Sequence, residues 1–392
     1  MNTLVVLAEG LARYVGWWLA ALVRWRDPLA PMTPRRLVVL VAAMPLFLMV
    51  QLVHAVCLLL DDILFPGYRR VRLDGTLIIT GIPRSGTTFL HRTLATDSAH
   101  YTTPTTWEAL LAPSILQRCI VRAIRRLDRR LGRPLARALS ALTRRLAGSL
   151  DDIHEVGLNA AEEDYLFLLP AGGCFIMLLA FPSAPGLQAL GHMDRRMPER
   201  RRQRLLRFYR ACLQRHLHAD GGQRRLLSKN AAFGSWLEGL TETVPEARFI
   251  LCVREPTQAL SSQISSVGPA RRLFGTATET PGFQGLFLDM AARTLTDLAD
   301  ILACWPLERA VIIDMTDLRR RPVTVIRAAL ARLTITEDAA LANHLDNLHG
   351  GSGSTHHHRV DSLAINATHL KRCLNAPYER LLALPHRIEA SP

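Results

Sequence analysis

Lysine is almost absent from this 392-residue chain: Lys229 and Lys371 are the only two, and arginine carries nearly all of a formal net charge of +14. An arginine excess suits an anionic partner such as nucleic acid, anionic lipid or a phosphorylated cofactor, and by itself it does not choose among them. Regular cysteine spacing is missing too. The seven cysteines are scattered with no Cys-x-x-Cys pair and no regular spacing, so neither a zinc site nor a disulfide framework is indicated, and a reducing compartment fits. There is no internal repeat, and the one low-complexity stretch, Gly350 to Ser354 with His356, His357 and His358, reads as a flexible polar loop rather than a metal site.

What the chain has in plenty is apolar sequence near its start. Leu4 to Val23 is apolar but broken by Glu9 and Arg13, and it ends in Trp17, Trp18 and Trp25 among arginines, the pattern of an interfacial segment. Leu37 to Leu60 is interrupted only by Gln51 and His54 and exceeds the ~20 apolar residues a bilayer core requires of a helix. The run is too long and too far from the start for a cleaved signal peptide. Residues 1–70 are therefore expected to be a membrane-associating segment, and 71–392 the working domain, with 110–220 a mainly helical cap. Two basic stretches, Arg118 to Leu146 (apolar along Ile120, Ile124, Leu127 and Leu131) and Arg195 to Arg210, read as solvated helical caps. Membrane-surface contact is the alternative.

From Thr76 the pattern changes to strands alternating with helices. Strands are expected at Leu77–Thr80, Arg225–Ser228, Arg248–Val253 and Ala310–Asp314, and helices at Ser235–Val244, Gln258–Ser265, Phe287–Cys304 and Val323–Leu333. This predicts an α/β fold, a P-loop-like parallel sheet flanked by helices.

The strongest local signal follows the first strand: Gly81-Ile82-Pro83-Arg84-Ser85-Gly86-Thr87-Thr88. A nucleotide-triphosphate loop would read G-x-x-x-x-G-K-[ST], and here Thr87 stands where the lysine belongs. The anion-binding purpose survives that change, because glycines turn successive N–H groups inward and the following helix aims its N-terminal donors at the same point. Arg84 adds a fixed charge; Ser85, Thr87 and Thr88 add hydroxyls. No convincing magnesium carboxylate accompanies the loop, Asp314 being a weak candidate.

This loop resembles the 5′-phosphosulfate loop of sulfotransferases that use 3′-phosphoadenosine-5′-phosphosulfate (PAPS). A second element of that family is a strand, an arginine and a serine eight residues on, matched here by Phe249 to Val253, Arg254 and Ser262. The resemblance implies that Arg84 stabilises charge on the leaving phosphate, that Ser85, Gly86, Thr87 and Thr88 hold the 5′-phosphate, and that Arg254 and Ser262 hold the 3′-phosphate. Lysine is common in the family where Arg84 stands; arginine keeps its proton, so its part is electrostatic only. For the general base the resemblance offers Glu108 first and His154 as its rival, and it brings Glu162, Glu163 and Asp164 near the acceptor. Lys229, at a strand end, is expected near cofactor or acceptor, or on the surface. The family's glycine-flanked closing segment has no clean equivalent; His357, His358 and Arg359 are the nearest substitute.

The expected activity is sulfuryl transfer from PAPS to a hydroxyl or amine acceptor, a small molecule, a lipid or a lipid-linked glycan, with adenosine 3′,5′-bisphosphate as product. No metal is required and no nucleic acid is expected. Two other readings are a P-loop nucleotide kinase or NTPase, which needs the missing lysine, and a non-enzymatic membrane-binding module. Arg24, Arg26, Arg35 and Arg36 precede the long apolar run, so a single span would place the domain outside the cytoplasm. In a bacterium PAPS is made inside, so the expectation is a hairpin lying in the membrane with a cytoplasmic catalytic domain.

Overall fold

A computed structural model describes residues 3–134, 137, 160–276, 280–348 and 367–389. Its centre is a five-stranded, wholly parallel sheet: β1 (Leu77–Gly81), β2 (Tyr101–Thr102), β3 (Arg225–Lys229), β4 (Arg248–Val253) and β5 (Ala310–Asp314), in the order β2-β3-β1-β4-β5. β1, β4 and β5 are buried almost throughout, as a parallel sheet covered by helices on both faces requires. The four longer strands follow the apolar runs legible in the sequence. The edge strand β2 was not expected; two residues are too few to leave a periodic trace.

The helices used below are α1 (Thr3–Val23), α2 (Pro34–Leu64), α3 (Thr87–Leu94), α4 (Ile115–Arg130), α5 (Glu199–Ala219), α6 (Pro256–Phe274), α7 (Pro281–Leu302), α8 (Pro322–Arg332) and α9 (Ala367–Leu382). α6 encloses the helix expected at Gln258–Ser265; α7 and α8 overlap those expected at Phe287–Cys304 and Val323–Leu333 and stop short of them at the C-terminus, and α3 follows the loop as expected. The expected helix at Ser235–Val244 divides into a 3-10 stretch, Ala231–Trp236, and a short α-helix, Leu237–Thr243.

α5 corrects the reading of its basic run as a solvated cap. Leu205, Leu206, Phe208, Tyr209, Cys212 and Leu213 pack it into the main core, and Arg202 is sunk among Asp194, Glu199 and Glu242. Its arginines mark buried ion pairs, around Arg202 and at Arg215 with Asp61 and Asp62, and an outer face, beside a broad apolar face.

α1 and α2 lie against the rest of the protein and share its main core through Val6, Leu7, Tyr14, Leu40, Met44 and Leu58. Gly10 permits the close approach of α1: a Cβ there would stand 2.4 Å from the Pro170 carbonyl oxygen. In α2, Pro45 cannot donate to a preceding carbonyl, and the helix widens into a π turn at Val39–Ala43. The Leu40 carbonyl in that turn accepts the Trp18 indole N–H at 3.0 Å.

Candidate active site

Three neighbouring strands end at one crevice. β1 runs into the loop Ile82–Gly86, β4 into Arg254, and β3 ends at Lys229, so the carboxyl ends flanking β1 deliver cations to a single place. The crevice opens into a cavity of about 560 Å³, whose polar lining includes Arg84, Thr87, Thr88, Glu163, Arg254 and Arg319.

The loop is shaped by backbone constraints. Gly81 has φ +132°, and a Cβ there would meet the Cys252 carbonyl oxygen at 2.0 Å; β1 and β4 touch too closely for any side chain. Gly86 has φ +90° and caps the N-terminus of α3. Between them Arg84 holds φ +68°, a left-handed conformation that costs about 1–3 kcal/mol outside glycine and persists where its surroundings impose it. The Ser85 hydroxyl donates to the Ile82 carbonyl at 2.6 Å and closes the turn. The sequence-expected Arg84, Gly86, Thr87 and Thr88 all line the cavity, whereas the Ser85 hydroxyl is spent inside the loop.

The second expected element meets the first. Arg84 Nε donates to Ser262 Oγ at 3.0 Å, and Arg254 Nη1 donates to the Arg84 carbonyl at 3.3 Å. A further Arg254 N–H reaches Gln258 Oε1 at 3.2 Å, while Glu255 caps α6 through the Thr257 and Gln258 N–H groups. Arg319, from the turn after β5, completes the group. Among the described residues no carboxylate is within ion-pair reach of Arg84, Arg254 or Arg319. Burial, with Arg319 and Arg84 adding to it, lowers the Arg254 guanidinium below its usual range. Cations held together without counter-ions, beside a helix N-terminus, form an anion site. Arg319 left no motif in the sequence; only the sheet order brings it here.

The acidic candidates divide. Glu108 is absent from the cavity lining. It is the third residue of the helical turn Thr106–Leu110, where Oε2 accepts from Thr105 N–H at 3.0 Å and Thr105 Oγ1 at 2.9 Å. Its other oxygen stands 3.6 Å from buried Arg118. This is a capping box. His154 lies outside the described residues, as do His356, His357, His358 and Arg359. Glu163 does line the cavity, and Lys229 Nζ lies 2.8 Å from its Oε1. Lys229 thus orients a carboxylate that faces the cavity.

Behind that pair the interior is unusual. Asp164 is wholly buried beside Tyr209 and Ser228, and burial pushes its carboxyl up to about 7. His91 is equally buried; its Nε2 is 2.7 Å from Thr103 Oγ1, and burial followed by Lys229 and Arg92 depresses it to about 3. Asp314, the weak magnesium candidate, accepts from Thr316 N–H at 2.7 Å and from the Tyr378 hydroxyl at 2.5 Å, so both its oxygens serve structure.

The cavity also has an apolar lobe, lined by Phe175, Ile176, Leu178, Leu179, Phe287 and Met290. Cations at the strand ends and an apolar lobe in one cavity suit an anionic donor and a largely apolar acceptor.

Comparison with known proteins agrees with this geometry. Among curated proteins no sequence matches the chain. Two solved structures share its fold: the sulfotransferase STF1 from Mycobacterium tuberculosis (18% identity, TM-score 0.69, covering 96% of this chain and 93% of that one) and the sulfotransferase STF9 from Mycobacterium avium (16% identity, TM-score 0.69, covering 96% and 95%). The model of the sulfotransferase family matches residues 76–339, more than half of the chain and the whole sheet with its loop. The chain belongs to the sulfotransferase family, whose members generally take their sulfuryl group from PAPS, and it is a sulfotransferase.

Proposed function

We propose that the crevice at the ends of β1, β3 and β4 transfers a sulfuryl group from PAPS to a hydroxyl or amine of an acceptor that carries an apolar body. The observation that carries this reading is the unpaired arginine group, Arg84, Arg254 and Arg319, at the N-terminus of α3. The residues fit a bisphosphorylated nucleotide: a glycine-shaped loop for one phosphate, and counter-ion-free guanidiniums for that phosphate and another.

PAPS supplies the sulfuryl group and departs as adenosine 3′,5′-bisphosphate. The N-terminal N–H groups of α3, with Thr87 and Thr88, hold the 5′-phosphate. Arg84 neutralises the charge that grows on the leaving phosphate oxygen. Its Nε–Ser262 bond and its carbonyl's bond from Arg254 tie it to α6, so the two phosphate ends of the site are mechanically one unit. Arg254 and Ser262, with Arg319 beside them, hold the 3′-phosphate.

For the base the proposal moves from Glu108 to Glu163. A general base must reach the proton it removes. Glu108 spends one oxygen on Thr105 and faces Arg118 with the other. Glu163 faces the cavity, takes the acceptor's proton, and is aimed by Lys229. Charge neutralisation by arginine and backbone donors leaves no step that needs a metal.

The apolar lobe and the apolar N-terminal helices favour a lipid or lipid-linked acceptor, reached from a membrane to which residues 1–70 attach the protein on the cytoplasmic side. Residues 71–392 form the catalytic domain in this account. The test is label transfer from sulfur-35 PAPS to a membrane extract. Wild type and Glu108→Gln should label a component, and Glu163→Gln should not. Equal labelling by Glu163→Gln, with loss in Glu108→Gln, would return the base to Glu108.

A further inference from the structure

α2 exposes an apolar face, where a helix on a water-soluble protein exposes a polar one. Between Leu37 and Leu64 every exposed residue is apolar, Leu46, Met49 and Val53 among the most open, while the polar Gln51, His54 and Asp61 are turned inward beside Leu40, Met44 and Leu58. On α1, which packs beside it, the exposed stripe is Leu4, Ala8, Ala12, Val15 and Leu19, again without a charge. α4 also packs against α2 and exposes Ile120, Ile124 and Leu127 at helical spacing, edged by Arg122, Arg126 and Arg129. A monomeric protein rarely exposes an apolar surface of this extent to water.

The inward polar groups fix how this surface can be used. Near one end of α2, Arg36 donates to the Ala180 and Phe274 carbonyls; near the other, Asp61 accepts from the Ile115 and Leu116 N–H groups and pairs with Arg215. His54 bonds the Leu110 carbonyl between them. Arg36 and Asp61 are separated by about 38 Å of helix at ~1.5 Å per residue, longer than a hydrocarbon core of ~30 Å. A spanning α2 would have to tear all of these bonds or drag the catalytic domain into lipid.

We infer that α1, α2 and α4 form a monotopic seat: one flat apolar face that sinks into a single leaflet of an anionic bilayer, with the helices in the membrane plane. Charge complementarity selects the occupant. Exposed Arg24, Arg26 and Arg35 border one end of the face, Arg69 and Arg70 the other, and the α4 arginines one edge; apolar side chains rimmed by arginine match acyl chains beneath anionic headgroups. The inference deepens the proposed attachment through residues 1–70, and it adds α4 and excludes a crossing.

The seat also bears on the acceptor. Segment 169–181 is gripped on one side by Tyr14, whose hydroxyl donates to the Leu169 carbonyl at 2.6 Å, by Arg13 at Ala171 and by Arg36 at Ala180. From the same segment Phe175, Ile176, Leu178 and Leu179 line the acceptor lobe. An acceptor embedded in that leaflet therefore lies beside the lobe that takes it.

The test uses the full chain and vesicles of phosphatidylcholine with phosphatidylglycerol. Wild type should sediment with them, less so as salt rises, and a Leu46→Glu, Met49→Glu, Val53→Glu chain should lose on the order of tenfold or more in partitioning. That chain must still bind adenosine 3′,5′-bisphosphate in solution, which separates failure of the seat from failure of the nucleotide site. An independent arm labels Arg26→Cys and Asp74→Cys, in a chain with Cys119→Ser and Cys304→Ser, using an impermeant maleimide on the protein's side of the vesicles. Labelling of both is expected. Protection of Arg26→Cys alone would mean that the hairpin crosses, and would overturn the inference. So would absence of vesicle binding by wild type, or a dimer that the glutamate substitutions dissolve in place of any lipid binding.

Discussion

Glu108 and Glu163 are alike in chemistry and close in sequence, and their surroundings separate them. Glu108→Gln removes the charge facing Arg118 and weakens a cap, so it should cost about 1–3 kcal/mol of stability and leave kcat near wild type. Glu163→Gln takes the counter-charge from buried Lys229, so it too should cost about 1–3 kcal/mol of stability, but it should also lower kcat on the order of a hundredfold to ten-thousandfold. Denaturant melts beside steady-state kinetics read both quantities. A third acid has a different signature. Asp164 is buried and titrates at about 7 in the folded protein, against ~4 when unfolded. The folded state then holds a proton that the unfolded chain has released, so this group's contribution to stability falls as pH rises from ~4 to ~7. Asp164→Asn should remove that fall and gain about 2–3 kcal/mol on wild type between pH 5 and pH 8. His91, depressed to about 3 by burial first, works in the opposite sense: its contribution is full above ~6.5 and is lost as pH falls towards 3. That slope stays the same in both chains, so urea unfolding of the pair isolates Asp164.

At the scale of elements, the β1–loop–α3 unit depends on backbone proximity more than on side chains. Gly81→Ala forces a Cβ to within 2.0 Å of the Cys252 carbonyl oxygen at a φ of +132°, and should cost at least ~3 kcal/mol, seen as loss of soluble protein or of its denaturant midpoint. This unit was also the most legible part of the sequence. Glycine spacing, a buried apolar run and the first helical turn all act locally, so Gly81 to Thr88 could be read as an anion loop before any contact was known. Arg254 and Ser262 were legible through their register after a strand. Arg319 and the pairing of Lys229 with Glu163 were not, because sheet order brings those residues together and nothing in their local sequence records it. The placement of Glu108 was not legible either: an acid after a strand–loop–helix unit looks the same in sequence whether it faces a cavity or, as here, caps a turn. The basic run of α5 misled because composition was weighed over the apolar face beneath it.

Over the whole molecule, one design unites charge and apolarity. The sheet gathers arginines that, among the described residues, have no carboxylate within ion-pair reach, and the N-terminal helices turn polar groups inward onto the domain and an apolar face outward. The alignments to STF1 and STF9 span 96% of this chain, so α1 and α2 belong largely to the shared fold. The central claim is that the arginine group at the strand ends is a site for a nucleotide bearing phosphates at both 3′ and 5′ positions. Isothermal calorimetry of adenosine 3′,5′-bisphosphate against wild type and Arg254→Ala, with ADP and magnesium-free ATP as controls, tests it most directly. The account predicts tight binding of the bisphosphate, weaker binding of ADP and ATP, and a collapse of the preference in Arg254→Ala. A preference for ATP, or a folded protein that binds none of the three, would contradict it.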